Sequence, residues 1–197
     1  IPLVYITSLY TIDGIRYVRG DIREGTYMLV NHLVELGHKD IVFIGGNRTV
    51  PTTSLRREGY GRALTEHGIP IDEKNLIECD GIHYDQAVLA TEELLQERHD
   101  FTAICAMNDE MALGVVNTLQ KAKIRVPEDV SVVGYDNTIF SKVSMVGITS
   151  MDSDIEGTCR QAVDMLMQVI RGEEPEEPHI MVRPAIVQRQ SSGKARR

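Results

Sequence analysis

The chain has 197 residues, which is enough for one large or two small globular domains, each with its own core. Its 21 Lys and Arg residues stand against 29 Asp and Glu residues, giving a formal net charge of −8. This acidity excludes a protein that binds nucleic acid through its whole surface, because phosphate binding needs clustered basic side chains. No apolar run approaches the roughly 20 residues of a membrane-spanning helix, so no membrane partner is expected.

Short apolar runs alternate with segments of helical periodicity along most of the chain. Strands are predicted at residues 3–6, 41–44, 76–79, 103–106, 130–133, 148–151, 180–182 and 185–187. Helices are predicted at about residues 22–36, 55–67 and 85–97, from residue 108 or 109 onward, and around residues 162–169. Residues 7–20 are predicted to be irregular and residues 191–197 to form a frayed polar tail. The alternation predicts right-handed βαβ units, and hence an α/β fold with a doubly wound parallel sheet.

The cysteines indicate a reducing compartment. Cys79, Cys105 and Cys159 are odd in number and far apart, and two of them lie in apolar stretches. We therefore expect buried reduced thiols rather than disulfides, which is typical of a cytoplasmic protein. Residues 1–6 show neither the basic nor the long apolar region of a signal peptide.

Polar side chains follow several predicted strands, where open parallel sheets bind their ligands. They are Asp21, Thr52, Arg56, Asp80, Asn108, Asp109, Asp136 and Asn137. Carboxylates and amides exchange hydrogen bonds with hydroxyl groups, and Arg56 offers a planar fork of donors, so the set suits a polyhydroxylated small molecule. Each residue also has a structural interpretation. Asn108 and Asp109 suit helix caps, Asp136-Asn137 suits a turn, and Arg56 suits a solvated position at a helix start.

Signs of enzymatic chemistry are weak. The sequence has no nucleophile-elbow, metalloprotease or phosphate-loop motif, and Gly45-Gly46 lacks the third glycine of a dinucleotide fingerprint. Cys79 and His83 lie four residues apart, but no second Cys/His pair supports a metal site or a nucleophile. We predict a protein that is not an enzyme and holds no metal or cofactor, and an enzyme built on the same sheet remains the alternative.

Four motifs resemble segments of the lactose/galactose repressor family of bacterial regulators. They are HLVELGHKDIVFIGG at residues 32–46, RREGYGRAL at 56–64, NDEMALG at 108–114 and VPEDVSVVGYDN at 126–137. The match continues in order to Arg183-Pro184 and to residues 188–191, so it covers essentially the whole chain.

The resemblance implies a two-lobed sensor domain shaped like periplasmic sugar-binding proteins, with doubly wound parallel sheets and the first lobe incomplete. Lobe crossovers are expected near Asp21, Ser153 and Arg183. Residues 1–21 would be a remnant of the N-terminal lobe and residues 153–183 the segment that returns to it. Residues 22–152 would form the C-terminal lobe, and residues 184–197 its last strand and the polar tail. Such a remnant should expose apolar surface, so the chain is expected to self-associate.

The resemblance also assigns roles in the cleft between the lobes. Arg56 and Asp136 match the positions that grip the effector, whereas Asp21, Thr52 and Asn108 match cleft positions whose use varies. Gly81 stands near a position where some relatives place a stacking aromatic residue, so His83 or Tyr84 is a further candidate.

The implied function is ligand sensing in a bacterial transcription regulator of the repressor type. A sugar, a sugar derivative or a nucleobase would bind the cleft and shift the equilibrium between lobe arrangements. A helix-turn-helix absent from this chain would bind operator DNA as part of a homodimer. A sugar-binding protein of a transporter is the alternative with the same architecture.

Overall fold

The computed structural model describes residues 1–7 and 14–196. The strands are β1 (Tyr5–Ile6), β2 (Tyr17–Gly20), β3 (Ile41–Gly45), β4 (Leu76–Glu78), β5 (Ala103–Ala106), β6 (Ser131–Tyr135), β7 (Thr149–Asp152), β8 (His179–Val182) and β9 (Ala185–Val187). The helices are α1 (Ile22–Glu35), α2 (Pro51–Glu66), α3 (Tyr84–Glu97), α4 (Asp109–Lys121), α5 (Ile139–Val143) and α6 (Ile155–Ile170), and a 3-10 turn covers Glu73–Asn75. The predicted α/β class is confirmed.

The larger sheet has the strand order β4-β3-β5-β6-β7-β9, and all its neighbouring strands are parallel except β7 and β9. Every residue of β3, β5 and β6 is buried. These strands are nearly continuous apolar runs because helices cover both faces of the sheet. The strand order reverses after β4, so right-handed crossovers place α2 and α3 on opposite faces.

The smaller sheet contains β1, β2 and β8, all parallel, and α6 packs on it. Its buried apolar side chains form a cluster separate from the main core, made of Val18, Ala162, Met165 and Val182. The chain passes between the two sheets at three places. They are Asp21 between β2 and α1, residues 153–154 between β7 and α6, and residues 183–184 between β8 and β9.

Two predictions about irregular segments are wrong. Residues 7–20 were expected to be irregular, but Tyr17–Gly20 forms β2, because this segment lies between β1 and β8 and pairs with both; residues 8–13 lie outside the described part. In a segment of four residues, the alternation of apolar and polar side chains does not predict a strand unless the neighbouring strands are known.

Residues 191–196 do not form a frayed tail. Ser191 is fully buried, and its Oγ donates to the Val132 carbonyl at 2.5 Å. His38 Nε2 donates to the Gly193 carbonyl at 3.0 Å. The polar character of this segment thus serves buried hydrogen bonds rather than solvation, and Arg197 lies outside the described residues.

Two helices also differ from the sequence prediction. Helix α2 begins at Pro51, earlier than expected, and the fixed backbone of proline suits the first helical turn. Helix α5 was not predicted, since five residues show too little periodicity. In the part of the chain that the structure describes, no helix has both the length and the apolar character needed to cross a membrane.

The close packing of α1 against α2 depends on Gly59. A Cβ at Gly59 would meet the carbonyl oxygen of Arg23 and lie 2.9 Å from the backbone nitrogen of Tyr27, both rigid parts of α1. A Cβ at Gly61, on the same helix, would meet only the flexible end of Ile71 at 3.1 Å.

We expect Gly59→Ala to lower the free energy of unfolding by about 1–3 kcal/mol, because the two helices must move apart. Gly61→Ala is the matched control and should leave the free energy unchanged or raise it by up to about 1 kcal/mol, because alanine favours helix. Urea unfolding followed by circular dichroism measures both. Equal effects of the two substitutions would contradict this account of the helix contact.

Candidate functional site

Four candidate residues lie at the carboxyl edge of the larger sheet, beside a topological switch point, and they are Thr52, Arg56, Asn108 and Asp136; Asp21 follows β2 of the smaller sheet. From β3 the chain crosses to β4 on one side and then returns to β5 on the other. In open parallel sheets the loops diverge at such a point and leave a crevice that binds ligands. Helix α2, which follows β3, carries Thr52 and Arg56, whereas Asn108 follows β5.

Arg56 is a buried cation with one buried guanidinium nitrogen left unpaired by the residues that the structure describes. Its side chain is stacked on Tyr135, with the guanidinium carbon 3.9 Å from the ring centroid, and the residue is only 8% exposed. Its Nη2 lies 3.5 Å from Asp136 Oδ1. Within the described part of the chain, its buried Nε has no hydrogen-bond partner. The interpretation of Arg56 as a solvated arginine is therefore wrong.

Asp136 places a carboxylate beside this guanidinium. Its side chain remains 40% exposed, yet the protein atoms around it displace enough water to raise its pKa, while the Arg56 charge acts in the opposite direction. The pair therefore presents an acceptor next to a fork of donors. A molecule with neighbouring hydroxyl groups can donate to the carboxylate and accept from the guanidinium.

Tyr135 connects this pair to the first helix. Burial is the main cause that raises the pKa of its hydroxyl to about 12; the charges of Asp136 and Asp21 act in the same direction and that of Arg56 opposes them. The hydroxyl packs against Gly25 of α1, where a Cβ would clash with it. The structure thus brings Asp21 to the same region as Arg56 and Asp136. The sequence analysis did not select Tyr135, since an aromatic residue that ends a strand is typical of core.

Three other candidates are less available to a ligand than Arg56 and Asp136, and they are Asp21, Thr52 and Asn108. Asp21 caps α1, and its Oδ1 accepts from the Glu24 amide at 3.0 Å. Asn108 caps α4, with Oδ1 accepting from the Met111 amide at 2.8 Å. Its Nδ2 donates to a loop carbonyl at 2.9 Å. Thr52 is half-buried in the first turn of α2. The helix-cap interpretation of Asn108 is confirmed, and a ligand would have to share its amide.

His83 and Tyr84 do not join the Arg56–Asp136 pair. The exposed His83 ring has Nδ1 3.5 Å from Glu110 Oε1. The Tyr84 hydroxyl accepts from Asn117 Nδ2 at 3.1 Å, about two turns along α4 from the helix start. Both side chains therefore lie against α4.

The side chain of Ile82, in the loop between β4 and α3, packs against the end of β3. A Cβ at Gly46, just after β3, would be 2.7 Å from Ile82 Cγ2. The Ile82 carbonyl is the group that accepts from Asn108 Nδ2. An apolar side chain here provides contact area for a ligand but no hydrogen bond. Its isolated position in a polar loop was the only feature of the sequence that could have indicated a role in the site.

The thiol near this loop is poorly suited to catalysis. Burial raises the pKa of Cys79 to about 11 and that of Cys105 to about 12. A thiol that stays protonated at neutral pH is a weak nucleophile. Among residues 1–7 and 14–196, no group of three or more His, Cys, Asp or Glu side chains has the arrangement of a metal site.

Comparison with known proteins gives consistent matches. A family model described as a periplasmic binding protein-like domain matches residues 30–192. Catabolite control protein A of Priestia megaterium is 36% identical over 152 residues, which are 77% of this chain and 46% of that protein. The HTH-type transcriptional repressor PurR of Vibrio atlanticus is 33% identical over 166 residues, 84% of this chain and 49% of the repressor. The chain spans about half the length of the curated relatives it matches.

Solved structures match over nearly the whole chain. The complex of the transcriptional regulator CelR with cellobiose has a TM-score of 0.86 at 30% identity, and the match covers 95% of this chain and 58% of CelR. A LacI-family regulator from Enterococcus faecium with bound ribose has a TM-score of 0.87 at 26% identity, covering 99% of this chain and 72% of the regulator. The order and packing of the elements are therefore those of regulator domains.

Thiol reactivity provides a test of the enzyme alternative. We expect one fast-reacting thiol at pH 7.5, that of the exposed Cys159, because Cys79 and Cys105 are buried and protonated. Titration with Ellman's reagent measures this, and Cys159→Ser should abolish the fast phase. A fast phase that persists in Cys159→Ser and disappears in Cys79→Ser would instead indicate an activated Cys79.

Proposed function

The chain belongs to the periplasmic binding protein-like domain family, in the form that LacI-family regulators carry as their effector-binding domain, and we propose that it senses a small polar effector for a bacterial transcription regulator. The effector would be a sugar, a sugar derivative or a nucleobase. The observation that carries this proposal is the Arg56–Asp136 pair at the switch point of the larger sheet.

The pair favours a ligand rich in hydroxyl groups. Each hydroxyl is both a donor and an acceptor, so adjacent hydroxyls can satisfy the carboxylate and the guanidinium together. Structures similar to this one are described with cellobiose and with ribose, which supports a sugar. A nucleobase is the second candidate, because its edge also pairs donors with acceptors, and PurR repressors are among the relatives.

The two sheets correspond in this proposal to two lobes, formed by residues 1–21 with 153–183 and by residues 22–152 with 184–197. Three chain crossings join them. An effector that binds one lobe arrangement more tightly than another shifts the equilibrium toward it. In a whole regulator such a shift would alter operator binding by a helix-turn-helix dimer in the cytoplasm.

The relatives discriminate between the competing functions. The solute-binding protein of a transporter shares this architecture, but the named relatives are repressors and control proteins. The same names favour a function without catalysis. Both arguments concern the relatives, and binding and turnover measurements on this chain are the direct tests.

Arg56→Ala should weaken effector binding by about 1–3 kcal/mol, the range for a lost charged hydrogen bond. The ligand is first found by a thermal-shift screen of D-ribose, cellobiose, related sugars and hypoxanthine, and its affinity is then measured by calorimetry. Arg57→Ala is the matched control. It removes the adjacent arginine of the same helix, whose partner is Glu73 at 4.0 Å, and should leave the affinity unchanged.

Unchanged affinity in Arg56→Ala, or equal loss in both variants, would contradict the assignment of Arg56. Failure of the unaltered chain to bind any compound of the screen would count against the proposed function as a whole.

The homodimer expected for such a regulator has a candidate surface around α5. Large apolar side chains are exposed here, and they are Ile139, Phe140, Val143 and Met145. A second apolar surface lies on α6, where Ile155, Val163 and Ile170 are more than half exposed. Exposed apolar patches of this kind mark interaction sites. We propose the α5 surface as the contact between two copies, with the α6 surface as the competing site of self-association.

A pair of matched substitutions separates these two surfaces. Val143 is 63% exposed and Val163 is 56% exposed, so an aspartate at either position disturbs no core. We expect Val143→Asp to convert a dimer to a monomer in light scattering at micromolar concentration, and Val163→Asp to leave the dimer intact. Dissociation by Val163→Asp alone would place self-association on α6, and a monomeric unaltered chain would contradict the dimer.

A further inference from the structure

We propose that Asp109 is a positioning residue for the effector site: the Asp109 side chain holds the loop that carries Asp136. The inference rests on the proposed function, because the site it serves is the Arg56–Asp136 pair. It goes beyond the side chains that line the crevice, since Asp109 itself is only 1% exposed and its carboxylate is occupied by protein groups.

The Asp109 carboxylate accepts three hydrogen bonds from the elements beside α4. Its Oδ2 accepts from the Thr138 amide at 2.6 Å and from the Thr138 hydroxyl at 3.0 Å. Its Oδ1 accepts from the Ser150 hydroxyl at 2.5 Å. Asn108, not Asp109, provides the side-chain cap of α4. The helix-cap interpretation of Asp109 is therefore wrong, and its partners lie on the β6–α5 loop and on β7.

Ser150 extends this network to a second loop amide. Its Oγ accepts from the Asn137 amide at 3.0 Å. Asp109 thus fixes two consecutive backbone N–H groups after Asp136, one directly and one through Ser150. The approach is close because position 134 carries no side chain, and a Cβ there would be 2.5 Å from Asp109 Oδ1.

The loop needs such support because its backbone is strained. Asp136 has φ +94° and Asn137 has φ +48°, a region that residues with a Cβ rarely adopt. Conformations of this kind persist only where surrounding groups impose them. In this backbone conformation the Asp136 carboxylate lies beside Arg56, so loss of the network should let the loop relax and turn Asp136 away.

The required property of Asp109 is hydrogen-bond geometry. Burial raises the pKa of Asp109, and the nearby Asp136 charge adds to this effect, while the bonds from Ser150 and Thr138 lower the pKa. An asparagine can accept from Thr138 through its oxygen and donate to Ser150 through its nitrogen. Asp109→Asn should therefore retain much of the function that Asp109→Ala loses.

The test compares two buried serine-to-alanine substitutions. Ser150→Ala breaks the relay to Asn137, whereas Ser131→Ala breaks bonds between the start of β6 and Gly193. Both serines are fully buried, so similar losses of stability are expected. Amide hydrogen exchange, read by NMR without ligand, reports on residues 137 and 138. Calorimetry with the compound that binds the unaltered chain most tightly, among D-ribose, cellobiose and hypoxanthine, reports on the site.

We expect Ser150→Ala to speed exchange at residues 137 and 138 and to weaken binding, each by about tenfold, the effect of one lost buried hydrogen bond. Ser131→Ala should change both by less than about twofold. Asp109→Asn should bind at least about threefold more tightly than Asp109→Ala, because it keeps the Thr138 bonds.

Faster loop exchange without loss of affinity, or no change in exchange, would overturn the positioning role. Equal loss of affinity in Ser131→Ala would reduce the effect to general destabilisation and also overturn it. Absence of binding by the unaltered chain contradicts the proposed function instead. If Asp109→Ala does not fold, the two serine variants alone decide the outcome.

Discussion

Burial of the central strands on both faces is the constraint on which the rest of the structure depends. Every residue of β3, β5 and β6 is buried, so helices must cover each side and polar groups can gather only at the ends of the strands. The approach of α2 to α1 through Gly59 completes that cover.

The core and the candidate site share one side chain. Tyr135 ends β6 inside the core, yet its ring carries the guanidinium of Arg56 and its hydroxyl packs against Gly25. A cation is stable in this buried position because the aromatic face and the Asp136 carboxylate replace part of its hydration. Packing on Tyr135 thus supports Arg56, and in our proposal the Asp109 hydrogen bonds support the loop that carries Asp136.

The smaller sheet has a different physical character. Its buried cluster contains Val18, Ala162, Met165 and Val182, and one side of α6 displays large apolar side chains to solvent. A core of this size contributes little stability on its own. Its three connections to the larger sheet are short, which suits a unit whose position an effector can alter, as the proposed sensing mechanism requires.

Two local patterns, continuous apolar runs and helical periodicity, were enough to predict the α/β class, most strands and helices, and the polar residues at the strand ends. The sequence by itself could not distinguish the roles of those polar residues. Each role depends on the groups that other segments bring to the residue. Asn108 is a helix cap, Asp109 is the proposed support of the loop, and Arg56 is a buried cation. Likewise β2 and residues 191–196 became ordered through partners distant in the chain. Tertiary structure decided these points, since a hydrogen bond or a strand pair has no local signature until both partners are placed.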